Sequence, residues 1–168
     1  MDYLTTAPSP LGPLTLASDG RSLIGLWFKD ARHFGATLGE ETETRDNLPV
    51  FAQTRQWLAL YFARRRPDFL PPLLVRGTDF RRAVCRLLLE IPYGETTTYG
   101  ALAARLAKER GLAHLSAQAV GGAVARNPIA LLLPCHRVIG KDGRLTGYAG
   151  GLWRKEKLLA LEGVRVPR

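Results

Sequence analysis

Pro67, Pro71 and Pro72 fall within one short stretch of the chain. Each fixes its own φ and removes a backbone donor, so neither a helix interior nor a central strand runs through them. The stretch ends whatever precedes it and makes a stiff connection, the best boundary in the sequence. Charge changes at the same place. Residues 1–75 hold 8 basic and 8 acidic side chains, whereas residues 76–168 hold 16 basic and 7 acidic, so the whole formal net charge of +9 lies in the second part. Two domains are expected, 1–75 and 76–168. A one-sided basic excess suits a polyanionic partner, and nucleic acid and a membrane surface both fit at this level.

With 46% hydrophobic and 23% charged residues, the 168-residue chain is globular in composition and long enough to bury a core, which excludes disordered and fibrous classes. Its start, Met1-Asp2-Tyr3-Leu4-Thr5, lacks the basic and apolar regions of a signal peptide. Apolar runs such as 129–133 are far too short to span a bilayer. Two cysteines, Cys85 and Cys135, cannot build a disulfide framework, and with His33, His114 and His136 they show no zinc spacing. The expectation is a soluble, metal-free protein of a reducing compartment.

Tyr3-Leu4-Thr5-Thr6 and Leu14-Thr15-Leu16-Ala17 flank a Pro/Gly-rich turn, and Ser18-Asp19-Gly20 turns the chain into Leu23-Ile24-Gly25-Leu26-Trp27-Phe28. This is hairpin patterning. Residues 31–47, with Glu40, Glu41 and Glu43, read as a loop or a weak helix. From Pro49 the period becomes helical, with Phe51, Leu58 and Phe62 on one face and Val50, Trp57 and Tyr61 beside them. Beyond the prolines, Thr78-Asp79 can cap a helix carrying Phe80, Val84, Leu87, Leu88 and Ile91, stopped by Pro92-Tyr93-Gly94. Short helices over 99–106 and 116–125, separated at Arg110-Gly111, suggest a helix-turn-helix. The small face Ala117, Val120, Gly121, Ala123 and Val124 fits close helix packing equally well, and that is its more common meaning.

Chemistry concentrates in Leu131-Leu132-Leu133-Pro134-Cys135-His136-Arg137-Val138-Ile139, which reads as an apolar strand delivering Cys, His and Arg in succession. The thiolate is the nucleophile, and neighbouring cations favour it. Cys85, amid apolar helix residues, reads as a small buried hydrophobe. On a strand consecutive side chains face opposite ways, so a Cys135–His136 contact needs a kink after Pro134 or an intervening water. A carboxylate orienting the imidazole would complete a base–orienter relay, and Glu162 is one of several acids available. The loop from Gly140 to Gly151 is dense in glycine, and its Asp142-Gly143 turn suits a β-hairpin wing at the lip of the same pocket.

At Pro134-Cys135-His136-Arg137-Val138 the sequence strongly resembles the O6-alkylguanine-DNA alkyltransferases, or methylated-DNA–protein-cysteine methyltransferases. The likeness spans residues 77–163, through Ile91-Pro92-Tyr93-Gly94-Glu95, Thr98-Tyr99-Gly100, Ala119-Val120-Gly121-Gly122-Ala123, Asn127-Pro128-Ile129 and Gly147-Tyr148-Ala149-Gly150-Gly151. It is looser before that, chiefly at Ser9-Pro10-Leu11-Gly12-Pro13-Leu14. The resemblance implies an α/β (α+β) chain, with an RNase H-like N-terminal domain and a C-terminal winged helix-turn-helix domain. It implies binding of double-stranded DNA carrying O6-alkylguanine, flipping of the base through the minor groove, and irreversible transfer of the alkyl group to cysteine in a single turnover. No cofactor, no metal, no membrane, a monomer, and a cytoplasmic location (nuclear in a eukaryote) follow as expectations.

Residue by residue, the resemblance makes Cys135 the acceptor, His136 its base through a bound water, and Glu162 the carboxylate orienting that histidine. Asn127 braces the turn before the active-site segment, and Tyr99 gives a proton to guanine N3. The Val138 carbonyl, Tyr148 and Ala149 become pocket walls, with Lys155 a basic residue beside the pocket. Arg126 and Arg137 are expected at the DNA. Three positions depart from the family pattern. Gln118 stands where an arginine finger usually enters the stack, 108–112 looks like an insertion between the two helices, and Cys85 replaces a tryptophan. The neutral first 75 residues become a supporting domain, not a second binding face. A winged-helix DNA or lesion binder without chemistry is the alternative, disfavoured by Cys135, and a Cys–His hydrolase would need an oxyanion hole and turnover.

Overall fold

The computed structural model describes residues 1–165, which form two compact units. The first comprises residues 1–76 together with 128–132, and the second comprises 77–127 and the chain from 133 onward. Among the described residues no helix is long and apolar enough to cross a membrane.

The first unit is a sheet with one helix. Strands β1 (Asp2–Ala7), β2 (Leu14–Ser18) and β3 (Leu23–Phe28) pair antiparallel through the two expected turns. The fourth strand, β4 (Thr42–Thr44), was not anticipated. It lies in the polar segment expected to be loop or weak helix, and it pairs parallel to β1, giving the order β3-β2-β1-β4. All three of its residues are exposed, so no apolar alternation marked it. At the other edge, β3 is buried along its whole length. The amide of Leu23 donates to Pro72 O and that of Leu26 to Pro128 O, so two irregular segments cover this edge and satisfy its backbone. Helix α1 (Pro49–Phe62) buries Val50, Phe51, Thr54, Trp57, Leu58 and Tyr61. Proline at its first turn costs no hydrogen bond there.

The second unit is mainly helical. Helices α2 (Asp79–Leu88), α3 (Tyr99–Glu109) and α4 (Ala117–Ala125) begin at Thr78, Thr98 and Ser116, whose hydroxyls accept from the amides of Arg81, Ala101 and Ala119. Each hydroxyl satisfies an amide that the helix leaves without a carbonyl partner, an effect of about 1 kcal/mol. α2 stops at Leu88, earlier than its apolar stripe suggested, and Ile91 is buried from the turn beyond. α3 and α4 make the expected helix pair, joined by 110–116.

The segment read as a strand at 131–133 is not one. Leu132 N donates to Ala130 O (2.8 Å) and Cys135 N to Leu133 O (2.7 Å), closing two three-residue turns, and Leu131 takes a φ of +71°. Pro128 and Pro134 bracket these turns and remove the donors a ladder would need. Residues Cys135–Arg137 then form a single 3-10 turn, and β6 (Val138–Ile139) pairs parallel with β5 (Thr97–Thr98). The expected hairpin over Asp142-Gly143 is a tight turn without strand pairing. There Gly140 N donates to Arg144 O at 2.8 Å, and Asp142 takes a φ of +67°. Helix α5 (Leu152–Leu161) follows.

Gly25 shows how tightly the first unit is packed. A Cβ there would lie 2.1 Å from the ring of Trp27, the next residue on the same strand face. Since Trp27 is itself buried, its ring cannot swing into solvent. Gly25→Ala is therefore expected to lower the unfolding free energy by about 1–3 kcal/mol through overpacking. Urea denaturation measures this, and an unchanged midpoint would mean that the ring repacks freely.

Candidate active site

Cys135 opens the 3-10 turn and is almost wholly enclosed. Two residues that flank it in the second unit, Asn127 and Leu133, are tied together, with Asn127 Nδ2 donating to Leu133 O at 2.7 Å. The Asn127 side chain also hydrogen-bonds the cysteine. Burial pushes the Cys135 thiol above its ordinary value, and the Asn127 bond, the Lys155 cation and two backbone amides oppose this without overcoming it. The expectation that adjacent cations would favour the thiolate at rest is thus corrected. The sulfur is kept protonated by desolvation, and it needs a base.

That base is next in sequence. His136 is completely buried, and its Nε2 lies 2.5 Å from Glu162 Oε2. Burial lowers the imidazole's proton affinity, and although the Glu162 carboxylate raises it, burial prevails. The ring is therefore neutral at physiological pH, with Nε2–H donating to the carboxylate and Nδ1 holding the lone pair that can take a proton.

Glu162 ends α5, and its side chain is fully removed from solvent. Burial disfavours its charge. His136, the Arg137 guanidinium and its hydrogen bonds more than reverse that, holding the carboxyl down at about 2. Arg137 Nε donates to Oε1 at 2.8 Å and Nη2 to Oε2 at 3.2 Å, while Nη1 donates to Ile91 O at 2.7 Å. Gly94, at a φ of +80°, adds its amide to Oε1 at 2.9 Å. Arg137, expected at the DNA, is instead turned inward and buried. A fork of donors matched to a buried carboxylate is the reason. The Pro92-Tyr93-Gly94 turn, read as a helix stop and as part of a family motif but given no role at the site, supplies one of the carboxylate's donors.

A second cluster surrounds Lys155. Its side chain is completely enclosed, and Nζ donates to Thr146 O (2.8 Å) and Gly147 O (3.3 Å) and approaches Tyr99 Oη at 3.5 Å. Burial lowers this lysine to about 8. Tyr99, bonded to the Thr146 side chain, has its phenol raised by burial and so keeps its proton. Its ring packs where Gly121 of α4 carries no side chain. Val138 is buried on β6, while Tyr148 and Ala149 are half-buried on the neighbouring loop. The Tyr148 hydroxyl is buried without a hydrogen bond among the described residues, and its phenol is raised well above the ordinary value by burial.

Two expected residues stand apart from these clusters. Gln118, in the first turn of α4, and Arg126, at its end, are both exposed. The surface between them is made of small side chains: Ala119, Gly122 and Ala125 are exposed too. Residues that the sequence did not nominate are Thr146 and Arg154. The latter is buried, donates to Gly150 O at 2.9 Å and lies over the Trp153 ring. Nothing in the residue types at 146 or 154 sets them apart from ordinary loop and helix positions. Among the described residues, no three His, Cys, Asp or Glu side chains gather to hold a metal ion.

Two family models match. The one described as 6-O-methylguanine DNA methyltransferase, ribonuclease-like domain, covers residues 3–74, and the corresponding DNA binding domain covers 79–164. The methylated-DNA–protein-cysteine methyltransferase of Mycobacterium tuberculosis is 42% identical over 99% of this chain and 96% of its own length. That of Haemophilus influenzae is 40% identical over 96% and 87% respectively. The crystal structure of Mycobacterium tuberculosis OGT in complex with DNA superposes with a TM-score of 0.81 at 43% identity, over 98% of this chain and 95% of that one.

The buried carboxylate makes a stability prediction. A carboxyl held at about 2 when folded but near 4.3 when unfolded contributes stability above the unfolded value, and that stability is lost as pH falls from roughly 4 towards 2. Glu162→Gln is expected to flatten that acid limb. By leaving Arg137 buried without its counter-charge, it should also lower the unfolding free energy at neutral pH by about 3–5 kcal/mol. Denaturant melts at several pH values decide this, and a variant that keeps both the acid limb and the wild-type stability would contradict it.

Proposed function

Because the chain belongs to the 6-O-methylguanine DNA methyltransferase family, we infer that it repairs double-stranded DNA by moving the alkyl group of O6-alkylguanine onto its own Cys135. The observation that carries this reading is the buried thiol standing next in sequence to a neutral imidazole that a charged carboxylate holds by its far nitrogen.

His136 takes the thiol proton on Nδ1 through a bridging water, and the imidazolium that forms is stabilised by Glu162. The sulfur attacks the alkyl carbon. An S–C bond forms, the C–O6 bond breaks, and its electron pair passes into the guanine ring. Tyr99 meets that developing charge by giving a proton to N3, and Lys155, 3.5 Å from its oxygen, stabilises the phenolate left behind. The alkyl group ends on sulfur, the thiol proton on His136 and the Tyr99 proton on guanine. Once guanine leaves, solvent takes the proton from the imidazolium and returns one to the phenolate, so the net change is one S–H proton exchanged for the alkyl group. Water does not readily displace a thiolate from a thioether, so each protein molecule acts once. The transfer needs no redox step.

The target base lies inside a duplex and must leave the stack. The exposed face of α4, with small side chains at Ala119, Gly122 and Ala125, suits close approach to a groove, and Gln118 at its first turn is placed to fill the space the base vacates. Arg126 at the other end adds phosphate affinity. Arg137 is a positioning residue in this reading, since it holds Glu162. The protein acts as a monomer.

Incubation with a duplex containing O6-methylguanine tests the reading. One methyl group is expected on the peptide containing Cys135, and none with Cys135→Ser. Unchanged lesion and unmodified peptide would overturn it, and would leave a lesion-binding protein without chemistry. Gln118→Ala is expected to slow repair in duplex DNA about tenfold, a loss of roughly 1.4 kcal/mol, while transfer from the free modified base stays the same. Undiminished duplex repair by that variant would remove the space-filling role.

A further inference from the structure

We propose that Thr146 is a positioning residue for the alkyl transfer. Its hydroxyl holds the Tyr99 phenol by the oxygen, keeps the phenolic proton free for guanine, and donates to the phenolate once that proton has gone. The proposal rests on the DNA-repair reading above and deepens it, because it says how the proton donor of that reaction is aimed.

Tyr99 is fixed at two points. Its ring packs against α4 where Gly121 has no side chain, and a Cβ there would lie 3.6 Å from the ring. Its oxygen meets Lys155 and the Thr146 side chain. The lysine is a poor orienting group. It donates to Thr146 O at 2.8 Å and to Gly147 O at 3.3 Å, and it reaches Tyr99 Oη only at 3.5 Å. That is the outer limit of a hydrogen bond, so the cation supplies charge but little direction. A hydroxyl, with one rotatable donor, can supply the direction.

The loop around Thr146 sets the side chain's orientation. Threonine is branched at Cβ and has few χ1 wells to choose from. Its methyl is seated against Gly140, where a Cβ would lie 2.9 Å from Cγ2 and 3.7 Å from Oγ1. The backbone at Gly140 is ordinary, with φ −73° and ψ 168°, so glycine serves space there and not conformation. With the methyl held on that side, the hydroxyl is turned to Tyr99. Burial raises the phenol, and the Thr146 bond opposes it by favouring the phenolate, which is the sign of a donor. Thr146 O–H thus occupies a lone pair of Oη, and the Tyr99 proton is left for the base. When the Tyr99 O–H bond breaks and N3–H forms, the electron pair stays on Oη. The same hydroxyl then bonds a charged acceptor, a stronger bond than the one to the resting phenol, so it favours the transition state over the ground state.

The test is a double-mutant cycle read by single-turnover transfer from a duplex containing O6-methylguanine, with duplex affinity measured alongside. Thr146→Val keeps the side-chain shape, the contact at Gly140 and the main-chain carbonyl that Lys155 uses, and removes only the hydroxyl. It is expected to slow transfer about tenfold to hundredfold, the worth of one hydrogen bond to a charged group, with duplex affinity unchanged. Thr146→Ser should restore most of the rate. In a Tyr99→Phe background, Thr146→Val should cost nothing further, because the hydroxyl acts through the phenol. Wild-type transfer by Thr146→Val would overturn the proposal, as would a Thr146→Ser protein no faster than Thr146→Val. A loss of the same size in the Tyr99→Phe background would also overturn it, since that marks an ordinary packing role. Wild-type transfer by Tyr99→Phe would remove the proton donor and the proposal with it. Failure of the wild-type protein to transfer the methyl group at all would overturn instead the DNA-repair reading on which the proposal rests.

Discussion

The carboxylate of Glu162 is charged, wholly out of water and bound from three directions: His136 Nε2, the Arg137 fork and the Gly94 amide. Charge in such a place is costly unless it is matched in full. Here the match joins the end of α5, the turn after α2 and the 3-10 turn that carries Cys135. Much of the second unit's architecture follows from satisfying this one group. The short turn that replaces a strand at 135–137 sends His136 and Arg137 to the same carboxylate, which strand alternation would not do.

Reactivity in this site arises from burial more than from neighbouring cations. Desolvation raises the thiol and lowers the imidazole, so both are neutral at rest, while Lys155, lowered to about 8, stays largely a cation beside the Glu162–Arg137 pair. Proton transfer from Cys135 to His136 then creates a thiolate and an imidazolium together. The imidazolium is met by Glu162 and the thiolate by the Asn127 amide and the Lys155 cation. Those groups interact more strongly with the ionised pair than with the neutral one, which is the differential that lowers a barrier. Arg137 contributes indirectly. Together with His136 itself it holds Glu162 at about 2, which keeps the carboxylate a weak base, so a proton taken from sulfur stays on the histidine.

Much of this was legible in the residues. Thr78, Thr98 and Ser116 stand where hydroxyl caps belong, Pro92-Tyr93-Gly94 ends a helix segment, and Cys85 is a buried helix residue whose thiol burial pushes up to about 12. The order Cys-His-Arg marked the chemistry. What could not be read were directions and long-range partners. Arg137 looks like a DNA contact until the fold brings Glu162 opposite it. Leu131-Leu132-Leu133 looks like a strand until Pro128 and Pro134 deny it a ladder. β4 is polar and short, held by pairing with β1 and not by any pattern of its own. Lys155 has no local sign of burial, because its enclosing carbonyls lie in the loop that precedes α5.

Burial keeps His136 a neutral base beside a protonated Cys135, while the Glu162–Arg137 pair orients its ring. NMR titration of the His136 ring in the unmodified protein measures this without reference to any substrate. The expected midpoint lies below the ordinary histidine value of about 6.5, with Nε2 carrying the proton of the neutral ring. A midpoint above that value, with the ring protonated at neutral pH, would make His136 a cation paired with Glu162 and would contradict its role as the base.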